Sequence, residues 1–197
     1  MPYSIRLAKI QDAESMLRIY GPYIANTTTS LEKDIPSIPN FEGRILKVLK
    51  EAPWISCTFN NEVIGYAYAS AYRSRYAYQW TREVSVYVDQ DHFGKNIGKA
   101  LYLTLFDLLK WQGFANCVAI VGGDNPGSHL FHEKLGFRLV GTFHNVGYKK
   151  DGFRSTKAYE LFIQDKDFVP TELKSISDLI YDAHFESRLE KHLPILQ

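Results

Sequence analysis

The residues best suited to chemistry lie at positions 84–101, which read Val-Ser-Val-Tyr-Val-Asp-Gln-Asp-His-Phe-Gly-Lys-Asn-Ile-Gly-Lys-Ala-Leu. An alternating, β-branched run enters a glycine-containing turn, and the turn opens a long amphipathic segment. The first N–H groups of a helix have no partner within it, and the helix dipole adds partial positive charge there. Such a helix start suits an anion, best a phosphate or pyrophosphate. Lys95 and Lys99 add full positive charge. The same residues also read as an ordinary strand, turn and helix with a solvated basic face. The turn is neither a Walker loop nor G-x-G-x-x-G, which disfavours nucleotide hydrolysis and dinucleotide binding.

Other reactive side chains make a weaker case. Cys57 and Cys117 each sit in an apolar run and read as buried free thiols. Neither shows a histidine partner, so a covalent thiol route is disfavoured. His92, His129, His144, His184 and His192 form no constellation, and no pair has metal-ligand spacing with Cys or acids. No metal is expected.

These residues need a scaffold, and 197 residues supply one domain, or one domain with an appendage. Lys plus Arg number 23 and Asp plus Glu 22, a net charge of +1. That balance argues against a nucleic-acid partner and excludes an acidic disordered chain. No apolar run approaches the ~20 residues of a membrane span, and the first residues lack the apolar core of a signal peptide. A cytoplasmic protein with no membrane partner is expected.

Hydrophobic periodicity predicts a strand at 4–7 and a helix at 12–24, then a proline-containing loop at 27–39 and a helix at 41–50. Strands at 54–59 and 63–70 flank Asn60-Asn61 and make a hairpin. Residues 72–81 read as an aromatic loop and 83–88 as a strand. A helix at 97–112 is closed by Gly113. A buried-type strand at 117–121 precedes a helix that Pro126 opens and that ends near Gly136. Strands at 138–148 and 156–162 form a second hairpin. The domain therefore spans residues 3–164 as an α/β unit. Residues 165–197 are charged, with Leu173, Ile176, Leu179, Ile180, Phe185 and Leu189 at near-helical spacing. They read as a helical extension packed on the domain or on a partner subunit.

The 93–98 turn resembles the acetyl-CoA pyrophosphate loop of the GNAT superfamily of N-acetyltransferases, Gln/Arg-x-x-Gly-x-Gly/Ala. Its six positions are Phe93, Gly94, Lys95, Asn96, Ile97 and Gly98. Gly98 matches, whereas Phe93 and Asn96 depart. Asn tolerates the left-handed conformation that the replaced glycine would take. The run Asn125-Pro-Gly-Ser-His-Leu-Phe-His-Glu-Lys-Leu-Gly-Phe resembles a second superfamily motif, Asn-x-x-(Ser/Ala)-x-x-x-(Tyr/His)-Glu-Lys-x-Gly-Phe. Gly65-Tyr-Ala-Tyr-Ala and Arg73-Ser-Arg-Tyr-Ala-Tyr-Gln-Trp-Thr-Arg-Glu-Val-Ser-Val-Tyr-Val narrow the likeness to phosphinothricin and methionine-sulfoximine N-acetyltransferases. Tyr20 and Gly147-Tyr-Lys also fit. That family's Gly-x-Trp-x-Asp is replaced by Asp151, Gly152, Phe153, Arg154 and Ser155.

The resemblance implies a GNAT fold: a twisted, mixed, mostly antiparallel sheet with helices on both faces, its central strands splayed where the cofactor enters. It implies acetyl transfer from acetyl-CoA to the primary amine of a small amino-acid-like acceptor. Glu83 is then the general base, and His132, at the Tyr/His position, a general acid or a structural histidine. Val86, Tyr87 and Val88 would pair with the pantetheine arm as an added strand does. The 93–98 loop and Lys99 would take the pyrophosphate, with Asn125 and Ser128 beside the cofactor. Arg75, with a fork that matches a carboxylate or phosphinate, and Tyr78 would contact the acceptor. A homodimer is expected. The rival readings are a GNAT acting on a protein N-terminus, a polyamine or an aminoglycoside, and a non-catalytic acyl-CoA-binding domain.

Overall fold

The computed structural model describes residues 2–197. Its centre is a seven-stranded sheet in the order β1-β2-β3-β4-β5-β7-β6. The strands are β1 (Tyr3–Leu7), β2 (Trp54–Phe59), β3 (Glu62–Ala71), β4 (Thr81–Val88), β5 (Asn116–Gly122), β6 (Arg138–Lys149) and β7 (Gly152–Phe162). Every neighbouring pair is antiparallel except β4 and β5. The helices are α1 (Ala13–Asn26), α2 (Ile38–Leu49), α3 (Ile97–Gln112), α4 (Pro126–Lys134), α5 (Ile176–Ile180) and α6 (Phe185–Glu190).

Local chemistry fixes the turns. Asn60 and Asn61 both have positive φ (49° and 67°), as a two-residue hairpin turn between right-twisted strands requires. Lys150 and Asp151 do the same between β6 and β7 (51° and 57°). Gly113 closes α3 at φ 98°, its N–H reaching back to the last carbonyls of the helix. Two starts differ from the sequence reading by more than two residues. Helix α2 starts at Ile38 rather than 41, because Pro39 sits in the first turn, where no N–H is needed, and Ser37 caps the end. Strand β7 starts at Gly152 rather than 156, because the turn at 150–151 is tight.

The sheet divides two cores. On one face α1 and α2 bury Met16, Ile24, Phe41 and Ile45 against Trp54, Val63 and Tyr66. On the other, α3 buries Leu101, Leu105 and Leu109 against Ile55, Cys57, Ala67 and Val84. A register shift after Cys57 leaves Ile64 as the extra residue opposite it, so Val63 and Tyr66 share a face despite their odd spacing. The residues after 164 belong to this second core: Ile176, Leu179, Phe185 and Leu189 are buried in it, and α5 and α6 pack on α3. Among the described residues no helix is long and apolar enough to cross a membrane.

Candidate active site

The site begins where the sheet comes apart. Strands β4 and β5 pair in parallel only at Thr81–Asn116, Arg82–Cys117 and Glu83–Val118. Beyond Glu83, β4 stays with β3 and β5 stays with β7. The result is a fork with Glu83 at its root. Glu83 pairs across β3 with Ser70, so its side chain lies on the face that also carries Tyr66, Tyr68 and Tyr87. Its carboxylate is half-buried and accepts no hydrogen bond from the described residues. Burial raises its pKa above the usual carboxylate value.

The open edge of β4 supplies backbone groups. The Asp89 amide bonds to Ile64 on β3 (2.9 Å), and strand groups alternate, so Val84, Val86 and Val88 face the fork. Tyr102 donates to the Val84 carbonyl (3.3 Å) and Tyr23 to that of Val88 (2.7 Å). Neither backbone group of Val86, nor the N–H of Val88, has a partner among the described residues. Tyr87 is not brought to this edge. It turns its backbone to β3 and packs its ring on Tyr20, Tyr23 and Tyr66.

Next comes the loop. Gly94 takes φ 80° and Asn96 φ 62°, so Asn96 occupies the left-handed well immediately before α3. The amides of residues 94–99 have no acceptor among the described residues. They gather at the positive end of a 16-residue helix, an arrangement that suits a pyrophosphate. A Cβ at Gly98 would meet the Phe131 ring at 3.4 Å and Val88 at 3.6 Å, ordinary contacts, so a methyl group fits there while a longer side chain would have to run between those two neighbours. Lys95 reaches back to His92 Nδ1 (3.2 Å), Lys99 is exposed, and Phe93 is 57% exposed.

Asn125 caps α4: its Oδ1 accepts from the Ser128 amide (3.1 Å), while its Nδ2 donates to Thr29 (3.4 Å). His132 lies about two turns on and is buried among Phe131, Phe137 and Tyr159. Its Nδ1 is 2.7 Å from the Ser128 carbonyl, which can only accept, so Nδ1 carries the hydrogen. Nε2 then offers a lone pair toward Tyr102, 3.4 Å away, in competition with the Val84 carbonyl for the one hydroxyl hydrogen. Burial lowers the imidazole pKa and favours the neutral ring. Cys57 and Cys117 are free and buried, and burial pushes the Cys57 thiol up to about 12. Among the described residues no cluster of His, Cys, Asp or Glu could hold a metal.

On the α1/α2 face, a cavity of about 310 Å³ is floored by Trp54, Tyr66 and Tyr68 and reaches Ser70, opposite Glu83. Its charged lining is Arg44, Lys47, Arg82 and Glu51. Arg44 is forked onto Glu32 (2.6 and 3.2 Å), and Arg82 is paired with Glu51 (2.9 Å). A more open hollow by Glu14, Arg18 and Ile38 shares none of this lining. The sequence reading missed the cavity cations; the alternation of Tyr66, Tyr68 and Ser70 marks the cavity floor but carries no sign of Arg44 or Lys47 on α2. Arg75 is not on the cavity wall. It is exposed at the start of the turn Tyr76–Tyr78, with no ion pair among the described residues. Tyr78 packs edge-on against Tyr72, and Arg73 lies over both rings (5.3 and 5.0 Å).

A mixed sheet that forks beside a strand–loop–helix anion cradle defines the GNAT class of acyltransferase. The profile of the acetyltransferase (GNAT) domain matches residues 5–153, and the chain belongs to that family. It is 32% identical over 152 residues to a phosphinothricin N-acetyltransferase of Streptomyces viridochromogenes, covering 77% of this chain and 83% of the relative. It is 31% identical over 153 residues to an L-methionine sulfoximine/L-methionine sulfone acetyltransferase of Pseudomonas paraeruginosa (76% and 88% covered). A GNAT superfamily phosphinothricin acetyltransferase from Sinorhizobium meliloti, solved in complex with AcCoA, superposes with TM-score 0.80 at 32% identity. That alignment covers 87% of this chain and 95% of that one.

Proposed function

We propose that the protein transfers an acetyl group from acetyl-CoA to the primary amine of a small acceptor bearing an anionic group, of the phosphinothricin or methionine-sulfoximine type. The observation that carries this reading is the cavity beside Glu83. It is too small for a folded partner, and Arg44, Lys47 and Arg82 outnumber Glu51 on its wall. With Arg44 paired to Glu32 and Arg82 to Glu51, Lys47 is the cation left over, and the wall suits a carboxylate or phosphinate better than a polyamine or an aminoglycoside. Arg75 and Tyr78, on the loop that follows Ala71 at the cavity rim, complete the acceptor site from outside.

When bound, acetyl-CoA supplies an activated acyl carbon and a thiolate leaving group. The loop amides of residues 94–99, with Lys95 and Lys99, hold the pyrophosphate. Val86, and the N–H of Val88, pair with the pantetheine amides as an extra strand would. Asn125 and Ser128 shape the start of α4 beside the cofactor. Glu83 takes the proton of the acceptor ammonium, directly or through water. Partial burial suits it, because a carboxylate with a raised pKa is a stronger base. The neutral amine then attacks, the C–S bond breaks, the proton that the attacking nitrogen sheds passes directly or through water to the departing thiolate, and no covalent enzyme intermediate forms. We assign no proton transfer to His132. Its only hydrogen is held by the Ser128 carbonyl, and it serves to fix α4 against Tyr102 and Tyr159.

The test is CoA thiol release over an amine panel. Glufosinate-like amino acids should support release, while spermidine, aminoglycosides and an N-terminal peptide should not. Release with a polycation alone would overturn the acceptor assignment. No release with any amine, despite acetyl-CoA binding, would favour the non-catalytic reading.

We further propose a homodimer. The edge strand β6 exposes Leu139, Val140, Phe143, Val146 and Tyr148, and an apolar edge of that length pairs readily with a second copy. Sedimentation should give a dimer, and V140K should give a monomer.

A further inference from the structure

Asn96 stands where the family loop has glycine, and the chain after residue 153 lies outside the family match. In the fold these two departures touch. The Asn96 side-chain amide donates to the Ile195 carbonyl (3.2 Å), and the Gln197 amide donates to the Lys95 carbonyl (3.4 Å). Just upstream, Lys191 and His192 both bond to Asp107 on α3, at 2.7 and 2.9 Å. Leu193, Ile195 and Leu196 pack on the core shared with α3, and the Tyr3 hydroxyl donates to the Gln197 carbonyl (2.9 Å). Residues 191–197 are thus fastened to the helix, to β1 and to the loop at once.

We propose that residues 191–197 are a positioning strap for the cofactor loop and that Asn96 is its contact. The inference rests on the reading that this loop holds the pyrophosphate of acetyl-CoA. A left-handed residue immediately before a helix decides where the first free amides point. Glycine visits that conformation readily but many others equally well. Asn visits it less readily, and here its side chain is tied to Ile195, so φ 62° is held by a contact 99 residues away. The amides that would grip an anion are then aligned before it arrives, which lowers the ordering cost of binding. Asn96 spends its side chain on the strap, which leaves only its backbone to meet an anion, so it acts through backbone placement.

The decisive variant is Asn96→Gly in the full chain. On backbone preference alone it should leave affinity unchanged or improve it, because glycine suits the conformation better. If the strap positions the loop, the direction reverses. The acetyl-CoA KM and Kd should rise about 2- to 10-fold, the worth of one neutral hydrogen bond. The kcat, the acceptor KM and the thermal midpoint should stay unchanged. Amide hydrogen exchange without ligand should quicken at residues 95–98 and at Gln197, and nowhere in α3 beyond its first turn. Equal or tighter binding with unaltered exchange would overturn the strap alone. If the unaltered protein bound no acetyl-CoA at all, the pyrophosphate reading would fall first, and the strap's purpose with it.

Discussion

The two sides of the fork are built from different materials. The side proposed for the cofactor is mostly backbone: the amides of 94–99, the open edge at Val86, the bare Gly98 and the capped start of α4. The side proposed for the acceptor is side chains: the Trp54, Tyr66 and Tyr68 floor, the paired Arg44 and Arg82, and the exposed Arg75. Backbone sites need residues that permit a conformation, so they leave spacing in the sequence. Side-chain sites need residues that meet across elements, and adjacency in space leaves no spacing. One side is therefore general to a fold and the other free to vary with the acceptor.

The largest expected effect breaks the backbone side. Gly98→Glu should abolish measurable acetyl-CoA binding by calorimetry, because the new side chain enters the space between Phe131 and Val88 and places negative charge beside the phosphates. Circular dichroism and the thermal midpoint should change little, since Phe131 is only half-buried and its ring can shift. Wild-type affinity in this variant would move the pyrophosphate elsewhere.

Legibility followed the same division. The segment Ile97–Gln112, its glycine C-cap and the Asn60–Asn61 turn were readable because each rests on local rules of φ and capping. The start of α2 at Ile38 was missed because prolines in the first turn look like loop. The place of β7 between β5 and β6 was not readable at all, since a hairpin can dock by either edge. Glu83 stood out by motif, but its position at the last rung shared by β4 and β5 is a property of two strands. The cavity cations on α2 and β4 were invisible for the same reason. Asn96 read as a mild departure from a motif, and only the fold places Ile195 against it.

The next effect falls where the two sides meet. Glu83→Gln should lower turnover by roughly 10²–10⁴ at neutral pH, the range for a positioned general base, with acetyl-CoA affinity unchanged. The deficit should shrink as pH rises, because more of the acceptor amine is then already neutral. A deficit that stays constant across the pH profile would make Glu83 a positioning group.

A smaller effect tests the side-chain half. Arg75→Ala should raise the acceptor KM and leave that of acetyl-CoA alone, costing roughly 10- to 150-fold in kcat/KM, as the loss of a charge-assisted hydrogen bond of ~1.5–3 kcal/mol does. Arg75→Lys should rescue only part, because Lys lacks the bidentate fork. The effect should vanish for an amine without the anionic group. An equal loss for charged and uncharged amines would leave Arg75 supporting its loop, and the anion would fall to Arg44, Lys47 and Arg82.

His132 gives the smallest effect and the finest test, because it is a side chain on the backbone-built side. If it only fixes α4, His132→Gln should cost less than about tenfold in turnover, against ~10²–10⁴ for a proton donor. Gln can still donate to the Ser128 carbonyl. The signature should appear in stability instead. Burial holds the His132 pKa below its ordinary 6.5, so the folded chain resists a proton that the unfolded chain accepts. Above 6.5 both states carry a neutral ring and there is no linkage. As pH falls below 6.5 the unfolded state gains protons first, and stability drops until the folded pKa is passed. Asp12, held low by Arg6 and the Lys9 amide against its burial, loses its contribution only below its ordinary 3.8 and leaves that window clear. Glu83, with its pKa raised, acts in the opposite sense from 4.5 upward, but it is the same in both proteins and cancels in the difference. Denaturant melts between pH 7.5 and 5 should therefore show a decline in the wild type that His132→Gln lacks. Parallel curves, combined with a turnover loss above a hundredfold, would give the imidazole a proton to donate and return His132 to the chemistry.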